Sequence, residues 1–497
     1  MIKNIMPSTL FVLMCLPCMA QSPELEQKIE ELDWYIRQAK EQWEVPGLAV
    51  SIVSDGETLL LKGYGVRKYD QLEPVDTNTL FAICSTTKAM TAAAMAMLVD
   101  AGRLKWDDPV MEHLPEFQLH DPYITRSIRI RDLFTHNTGI GNADLLWYLW
   151  NYDPDEILYK MRFLESSYPL RGGYTYQNIM YAAAGKIIER ISGMSWEDFI
   201  QVRIFDPLGM SHTYSNQMSS KHYENRSTPH HQLKGTIQAI PDGSADLIAP
   251  AGAVWSNIAD MSKWMHFVLD SAQINGEKLI SNENYQEWLK PQTIVSDQGF
   301  YPTQKLTKPK WKTYSLGWFQ HDYQGRAVHF HTGSLQGTVA IIGLIPEEKL
   351  GVYVFGNLDH AEVRHAIMYK VFDVFGDRNP ERDWSAEFKE LYSKKPAASK
   401  QDVKETPPPM SLDSYVGRYE DPYLGLIEVV QENDQLIAKI GADEKIQLQP
   451  KYLNTFSGIF ISRPWMEDST FRFEDLGLGP ESLYFFGRKF MKSKIDE

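Results

Sequence analysis

Apolar residues recur every three to four positions near the start of the chain, a spacing that predicts an amphipathic helix over residues 24–44. Two short apolar runs follow at 48–53 and 58–61, separated by Asp55-Gly56. An Asp-Gly pair between two apolar runs favours a two-residue turn, so the runs predict a β-hairpin.

The middle of the chain is predicted to be helical, and strands return near residue 330. Residues 86–101 are rich in Ala and Met, which suits a buried helix, and 128–213 has a mostly helical pattern. Apolar runs at 328–330, 338–344 and 351–355 predict three strands. Strands at both ends with helices between them indicate an α+β domain whose sheet is built from both ends of the segment.

A change of composition divides the chain near residue 393. Residues 393–410 are polar, charged and rich in Pro, as linkers are. Beyond them, 411–497 shows short alternating segments separated by turn residues, which predicts a small all-β domain. The predicted organisation is a signal peptide over 1–20, a first domain over 21–392, the linker and the β domain.

The start of the chain has the pattern of a secretory signal peptide, with a positive Lys3, an apolar run over 10–16 and a small-residue cleavage site ending at Ala20. The apolar run is too short to span a bilayer, so a membrane anchor is the weaker alternative. A lipid anchor on Cys15 or Cys18 is also a weaker alternative. We expect cleavage and export to the periplasm or the outside of the cell, with no integral membrane segment in the mature chain.

Composition limits the partners and cofactors. The 497 residues carry a formal net charge of −15, and an acidic surplus disfavours nucleic acid, whose phosphates need a basic patch. Of the 3 cysteines only Cys84 lies beyond the signal peptide, so no internal disulfide is expected. Beyond the signal peptide, Cys and His residues show no metal-ligand spacing, and we expect neither a metal nor another cofactor.

The candidate chemistry begins with Ser85 and Lys88 at the start of the Ala- and Met-rich helix. A spacing of three places both side chains on one helix face, and burial lowers the affinity of a lysine for its proton. Lys88 can then accept the serine proton, while free N–H groups at the helix start can meet an oxyanion. The pair is also explained by Ser85 acting as an N-cap.

Two further groups lie later in the chain. Tyr176 is a phenol that can act as a base beside a lysine, and the Asn178 amide can orient that lysine or a substrate carbonyl. His331 can hold a carboxylate or move a proton, and Gly333 lets a substrate approach the strand backbone. Taken singly, each group also fits a structural role, as a packed aromatic, a turn Asn, or a strand His beside a bulge.

In this order the three groups resemble the motifs of the serine β-lactamase and penicillin-binding protein superfamily. The tyrosine motif resembles the branch of class C β-lactamases, DD-peptidases and esterases rather than class A enzymes. Further stretches that resemble this branch are IRIRDLFTHNTGI at 128–140, YTYQNIMYAAAGKIIERISGMSWEDF at 174–199, PLGMSHTY at 207–214, PAGAVWSNIADMSKW at 250–264, YSLGWF at 314–319 and HTGSLQG at 331–337. Residues 411–497 are similar, less specifically, to a lipocalin-like β domain.

The resemblance implies an antiparallel sheet flanked by helices, a mainly helical subdomain and acyl-serine chemistry. The roles it implies are acylation for Ser85, a shared general-base task for Lys88 and Tyr176, orientation for Asn178, and an oxyanion hole from the backbone N–H groups of Ser85 and Ser334. Most β-lactamases of this branch have lysine at the position of His331. The histidine favours a peptidase, amidase or esterase over an efficient β-lactamase.

The predicted function is hydrolysis of an amide or ester through an acyl-serine intermediate. Candidate substrates are D-amino-acid peptides such as cell-wall peptides, β-lactam-like amides and small esters. The alternative is a non-catalytic penicillin-binding or ligand-binding protein on the same fold, and a third hypothesis gives the β domain a ligand or surface to bind. Aromatic residues between 147 and 152 indicate either an aromatic acyl site or a helix packed on the core. The sequence leaves the oligomeric state open.

Overall fold

The computed structural model describes residues 22–376, 378–393, 406–475 and 479–493. The predicted signal peptide and most of the predicted linker lie outside these ranges. The α-helices are α1 (Pro23–Gln42), α2 (Thr87–Asp100), α3 (Val110–His113), α4 (Pro122–Ser127), α5 (Leu145–Tyr148), α6 (Pro154–Lys160), α7 (Ile179–Ser192), α8 (Trp196–Ile200), α9 (Asp206–Leu208), α10 (Gln217–Ser220), α11 (Ala249–Gly252), α12 (Ile258–Leu269), α13 (Asn282–Leu289), α14 (Gln304–Thr307), α15 (Val363–Phe375) and α16 (Trp384–Ser393). None of the helices in these ranges has the length and apolarity needed to cross a bilayer.

The first domain is built on one antiparallel sheet. The strands before the linker are β1 (Gly47–Ser54), β2 (Glu57–Gly65), β3 (Phe81–Ala82), β4 (His230–Leu233), β5 (Thr236–Ala239), β6 (Trp255–Ser256), β7 (Gln273–Ile274), β8 (Glu277–Lys278), β9 (Thr293–Ile294), β10 (Lys312–Tyr314), β11 (Phe319–Tyr323), β12 (Arg326–Leu335), β13 (Thr338–Ile345) and β14 (Leu350–Gly356). The main sheet has the order β2-β1-β14-β13-β12-β11-β10-β9, and the remaining strands form two-stranded ribbons. The sheet thus joins strands from both ends of the domain, as predicted.

The first hairpin shows how local sequence sets this sheet. Asp55 and Gly56 both have positive φ angles, 48° and 83°, which is the backbone of a two-residue turn that matches strand twist. In β1 alternate residues face opposite sides, so Leu48 and Val50 pack in one apolar cluster while Ala49 packs in another. A strand buried on both faces belongs in the middle of a layered domain.

Helices cover both faces of the sheet. Helices α1, α15 and α16 pack on one face, while α2 and α12 lie on the other beside the helical subdomain. Helix α2 is buried almost all round, as its Ala- and Met-rich sequence predicts. The predicted α+β class is confirmed. The helical prediction for 128–213 is only partly right, because long regular helix begins at Ile179 and the preceding part is mostly short helices and loops.

The C-terminal part is a closed eight-stranded antiparallel barrel. Its strands are β15 (Gly417–Asp421), β16 (Gly425–Glu432), β17 (Gln435–Ile440), β18 (Glu444–Tyr452), β19 (Thr455–Phe460), β20 (Ser469–Asp475), β21 (Pro480–Phe485) and β22 (Arg488–Lys492). Alternate residues point inward and fill the interior with side chains such as Tyr419, Ile427, Phe456, Phe473 and Phe490. The predicted all-β domain is confirmed.

A segment of the first domain inserts into one end of the barrel. Trp150 is 3% exposed, and its ring stacks on Phe490 with ring centroids 6.2 Å apart. The Tyr152 hydroxyl donates to the Leu424 carbonyl at 3.0 Å. The hydrophobic cores of the two domains therefore merge at Trp150.

Candidate active site

Ser85 lies in a tight turn between strand β3 and helix α2. The turn is a 3₁₀ helix over Cys84–Thr86, one step ahead of the α-helix in which the sequence placed the serine. Cys84 has φ 52°, a left-handed conformation that is uncommon for a side chain of this kind. Burial raises the pKa of the Cys84 thiol to about 12, so it stays protonated and is a poor nucleophile beside Ser85.

Lys88 is fully buried and reaches Ser85 from the first turn of α2. Its Nζ lies 3.3 Å from Ser85 Oγ, 2.6 Å from Asn178 Oδ1 and 2.8 Å from the Ala251 carbonyl oxygen. A neutral amine has two N–H donors and one lone pair. With both donors engaged by Asn178 and Ala251, the lone pair faces the serine hydroxyl.

The protonation state of Lys88 follows from its surroundings. Burial lowers the pKa of Lys88 to about 7, and the negative charge of Asp144 partly opposes this effect. At neutral pH a large fraction of the amine is therefore free to accept a proton. A group that accepts protons near neutrality fits the requirement for a general base.

Asn178 connects Lys88 to a carboxylate that the sequence did not reveal. Its Nδ2 donates to both oxygens of Asp144 at 3.0 Å, while its Oδ1 accepts from Lys88. Asp144 also accepts from the Trp147 indole at 3.0 Å. Because a carboxylate can only accept, these contacts fix the orientation of the Asn178 amide.

Tyr176 lies beside Lys88 with its ring held among aromatic side chains. The Lys88 Nζ is 4.9 Å from the centre of the Tyr176 ring, and the His136 ring packs on it at 4.4 Å between centroids. Burial raises the pKa of Tyr176 well above its usual value, although the interaction with Ser85 opposes this shift. Tyr176 is therefore a neutral phenol in this structure and Lys88 is the more readily available base, while the share of Tyr176 in the general-base task stays a prediction.

His136 holds Tyr176 in place and was not singled out from the sequence. Its Nδ1 accepts from the Gln177 backbone N–H at 3.1 Å. Burial lowers the pKa of His136 well below its usual value, so the ring is neutral. The signal in the sequence was only a histidine in a loop, which by itself has many explanations.

His331 is a buried, neutral residue of β12. Its Nδ1 donates to the Thr332 carbonyl at 2.6 Å, which leaves Nε2 to accept from the Tyr314 hydroxyl at 2.9 Å. Burial, together with the positive charge of Lys88, lowers the pKa of His331 to about 3. Both ring nitrogens are engaged within the protein, and the expected role of His331 in holding a carboxylate or moving a proton stays a prediction.

Gly333 lets β12 press against the turn that carries the nucleophile. A Cβ atom there would lie 2.4 Å from the Ile83 carbonyl oxygen and 3.2 Å from the Ser85 backbone nitrogen. Residues 331–335 of β12 pair with β13 but lie beyond the end of the pairing with β11. This part of β12 has an open edge along which a substrate backbone can lie.

Ser334 follows Gly333 on the same edge. Its hydroxyl accepts from Arg364 at 3.0 Å, and the buried Arg364 also donates to the Gly333 carbonyl. Glu362 balances the guanidinium at 3.0 Å. Arg364, which the sequence did not single out, therefore fixes the strand beside the nucleophile. The proposed oxyanion contribution of the Ser334 backbone stays a prediction.

The structure brings the predicted site residues into one cleft between α2, the loop before α7 and β12. Those with direct or neighbouring contacts are Ser85, Lys88, Tyr176, Asn178, His331, Gly333 and Ser334. The fold is similar to that of an octameric penicillin-binding protein homologue from Pyrococcus abyssi, which superposes with a TM-score of 0.63 at 23% identity, covering 93% of this chain and 100% of that one.

The family follows from the sequence comparison. A family model described as Beta-lactamase matches residues 32–372, and the chain belongs to the β-lactamase family. A second model, described as a domain of unknown function (DUF3471), matches residues 401–477.

The chain is also similar to several individual proteins. The unguisins hydrolase ungD of Aspergillus violaceofuscus is 28% identical over 432 residues, which cover 80% of this chain and 75% of that protein. Protein flp of Staphylococcus aureus is 24% identical over 341 residues, covering 66% of this chain and 63% of that protein. A structure of SurE with D-Leu has a TM-score of 0.53 at 17% identity, covering 94% of this chain and 100% of that one. The comparisons support a hydrolase of this family.

Proposed function

We propose that the protein is an exported serine hydrolase that cleaves an amide or ester through an acyl intermediate on Ser85. The observation that carries the proposal is the buried Lys88 amine, which has acceptors for both N–H donors and its third position directed at Ser85 Oγ. This contact set disfavours the non-catalytic alternative. The signal-peptide pattern supports export, and the spacing of Tyr176 and Asn178 supports the branch with class C β-lactamases and DD-peptidases.

Acylation begins with proton transfer from Ser85 to Lys88. As the proton moves to Nζ, Ser85 Oγ forms a bond to the substrate carbonyl carbon, and the carbonyl oxygen becomes an oxyanion. The N–H groups of Ser85 and Ser334 stabilise that charge; one such donor is typically worth a factor of ~10²–10³ in rate. Collapse of the tetrahedral adduct breaks the bond to the leaving group.

The neutral Tyr176 phenol serves as the proton relay in this scheme. It donates its proton to the departing nitrogen or oxygen and receives one from the Lys88 ammonium, which restores the free amine. A water molecule then attacks the acyl carbon and gives a proton to Lys88. That proton passes to Ser85 Oγ as the bond between Oγ and the acyl carbon breaks, which releases the acid and restores Ser85. Two observations support the relay: the Tyr176 hydroxyl interacts with Ser85, and the centre of its ring lies 4.9 Å from Lys88 Nζ.

The site favours a substrate that has no carboxylate to be bound by residue 331 of β12. His331 is neutral and has no free ring nitrogen, so it offers little to the carboxylate of a penicillin-like substrate. One relative is named for hydrolysis of unguisins, and one structural neighbour was solved with D-Leu. These observations support a peptide that contains D-amino acids as the substrate class, ahead of a β-lactam.

Covalent labelling tests the proposal directly. We expect a fluorophosphonate to add once to the protein, with the label on the peptide that contains Ser85. The Cys84→Ala variant is the matched control, because it removes the thiol next to Ser85 and should be labelled like the native chain. A label on Cys84, or a lack of labelling by every acylating probe tried, would contradict the proposal. Intact mass and peptide mapping provide the measurement.

The pH dependence of kcat/KM should follow the protonation of Lys88. Because the amine must be neutral to act as a base, activity rises with pH through the pKa of Lys88, about 7, and then levels off. Asp144→Asn removes a negative charge that holds this pKa up, so the rise should move to lower pH. A shift in the opposite direction in the kcat/KM profile would show that another group controls it. Glu428→Gln, in the barrel, is the matched charge control.

A further inference from the structure

A cleft beside the catalytic residues is lined by both domains. It encloses about 330 Å³, within the usual range for small-ligand sites. The first domain contributes Trp147, Tyr148 and Gln336, and the barrel contributes Arg463 and Trp465. The barrel is thus part of a cavity wall, while its own interior is filled with side chains.

Two short paths connect this cleft to the nucleophile. The Trp147 indole donates to Asp144, which in turn holds Asn178 against Lys88. On the other side, the Gln336 amide donates to the Tyr148 hydroxyl at 3.0 Å. Gln336 lies in the turn directly after β12, three residues beyond Gly333. The cleft therefore begins where the open edge of β12 ends.

The position of Tyr176 shows which part of the substrate enters the cleft. In the proposed reaction this phenol protonates the leaving group, and its ring lies 6.1 Å from that of His331, at the start of the open edge. Gln336 lies at the far end of the same edge. A substrate laid along β12 places its leaving group near His331 and its acyl part near Gln336.

The chemistry of the walls defines the acyl group. Trp147, Tyr148 and Trp465 supply aromatic surface, and the Trp465 indole nitrogen is buried without a hydrogen-bond partner. Of the three carboxylates in the wall, Asp242 is paired with Arg226 at 2.9 Å and Glu444 with Arg463 at 3.0 Å. Asp443 therefore gives the wall a net negative charge. Such a surface attracts aromatic groups and disfavours anions.

We infer that this interdomain cleft is the acyl subsite, and that it selects peptide substrates whose residue on the acyl side is aromatic and either uncharged or cationic. The inference rests on the proposed function and extends it to the substrate class. It also gives the barrel a role in specificity.

Two esters with one leaving group test the aromatic preference. We expect Trp465→Ala to lower kcat/KM for the p-nitrophenyl ester of N-acetylphenylalanine, assayed as both enantiomers, by about 10-fold. The same variant should hydrolyse p-nitrophenyl acetate at the native rate, within about two-fold, which also shows that it is folded. Tyr452→Ala is the matched control, since Tyr452 is an aromatic of the barrel that is 49% exposed and lies outside the cleft.

The outcomes separate the inference from the proposed function. If Trp465→Ala leaves the ratio of the two rates unchanged, the inference is overturned and the acyl-serine reaction still stands. Hydrolysis that persists in Ser85→Ala would overturn both.

A matched pair of esters tests the charge preference. We expect p-nitrophenyl butyrate to be hydrolysed about 10-fold faster than the hemisuccinate, and Asp443→Asn to reduce this difference. Equal native rates for the two esters would exclude selection against anions.

Discussion

Ser85→Ala is expected to lower kcat/KM by at least about 10⁴-fold, because loss of the nucleophile of a catalytic set leaves only binding and oxyanion stabilisation. The hydroxyl has Lys88 Nζ as a hydrogen-bond neighbour at 3.3 Å, so its removal leaves the surrounding packing in place. Initial rates on the preferred ester, with the thermal unfolding midpoint measured alongside, check this expectation. A residual activity within about 10-fold of native would assign the reaction to another group.

Lys88→Met is expected to reduce kcat by about 10³-fold, within the range for a general base. Methionine has a similar length and is apolar, so it fits the fully buried position but cannot accept the serine proton. The variant should also lose the rise in activity near pH 7. That loss separates a base from a residue that only fills space, since a packing defect lowers the rate at every pH alike.

Stability measurements control for misfolding of Lys88→Met. Burial lowers the pKa of the native amine, so at neutral pH the lysine binds its proton less tightly in the folded than in the unfolded chain, and this difference destabilises the fold. Lys88→Met removes this destabilisation. It also leaves Asn178 Oδ1 and the Ala251 carbonyl without their donor, which acts in the other direction. We expect a melting temperature near that of the native chain. Lys105→Met, on an exposed lysine, is the control and should retain native activity.

The parts of the site that the sequence could predict are those set by local spacing. Ser85 and Lys88 are three residues apart at the start of a helix, and the hairpin turn at Asp55-Gly56 is encoded by two adjacent residues. Both follow from backbone geometry alone. The order of motifs along the chain supplied the fold class, because members of this family share that order.

The remaining parts depend on contacts between distant segments. Asp144 lies in a loop, and only the folded chain brings it to Asn178, 34 residues away. The neutral state of His331 follows from its burial and from the charge of Lys88, a residue more than 200 positions earlier in the chain. The alternating pattern predicted strands beyond residue 411, but closure into a barrel depends on the pairing of β15 with β22. None of these features has a fixed spacing in the sequence.

The roles of the aromatic residues near residue 150 also depend on contacts between distant segments. A dense aromatic cluster fitted either a substrate site or core packing. The folded chain divides the cluster, with Trp147 and Tyr148 lining the cleft and Trp150 lying in the barrel end. Whether an aromatic ring lines the cleft or packs in the barrel depends on the position of the other domain.

The indole of Trp150 restricts which domain exchanges this chain can accept during evolution. Because this ring completes the apolar interior of the neighbouring barrel, the two halves cannot be exchanged independently between related genes. A recombinant that keeps one half and replaces the other leaves either a void the size of an indole or an indole in water. The barrel and the short stretch around Trp150 should therefore be inherited together, and substitutions on one side select for compensating substitutions on the other.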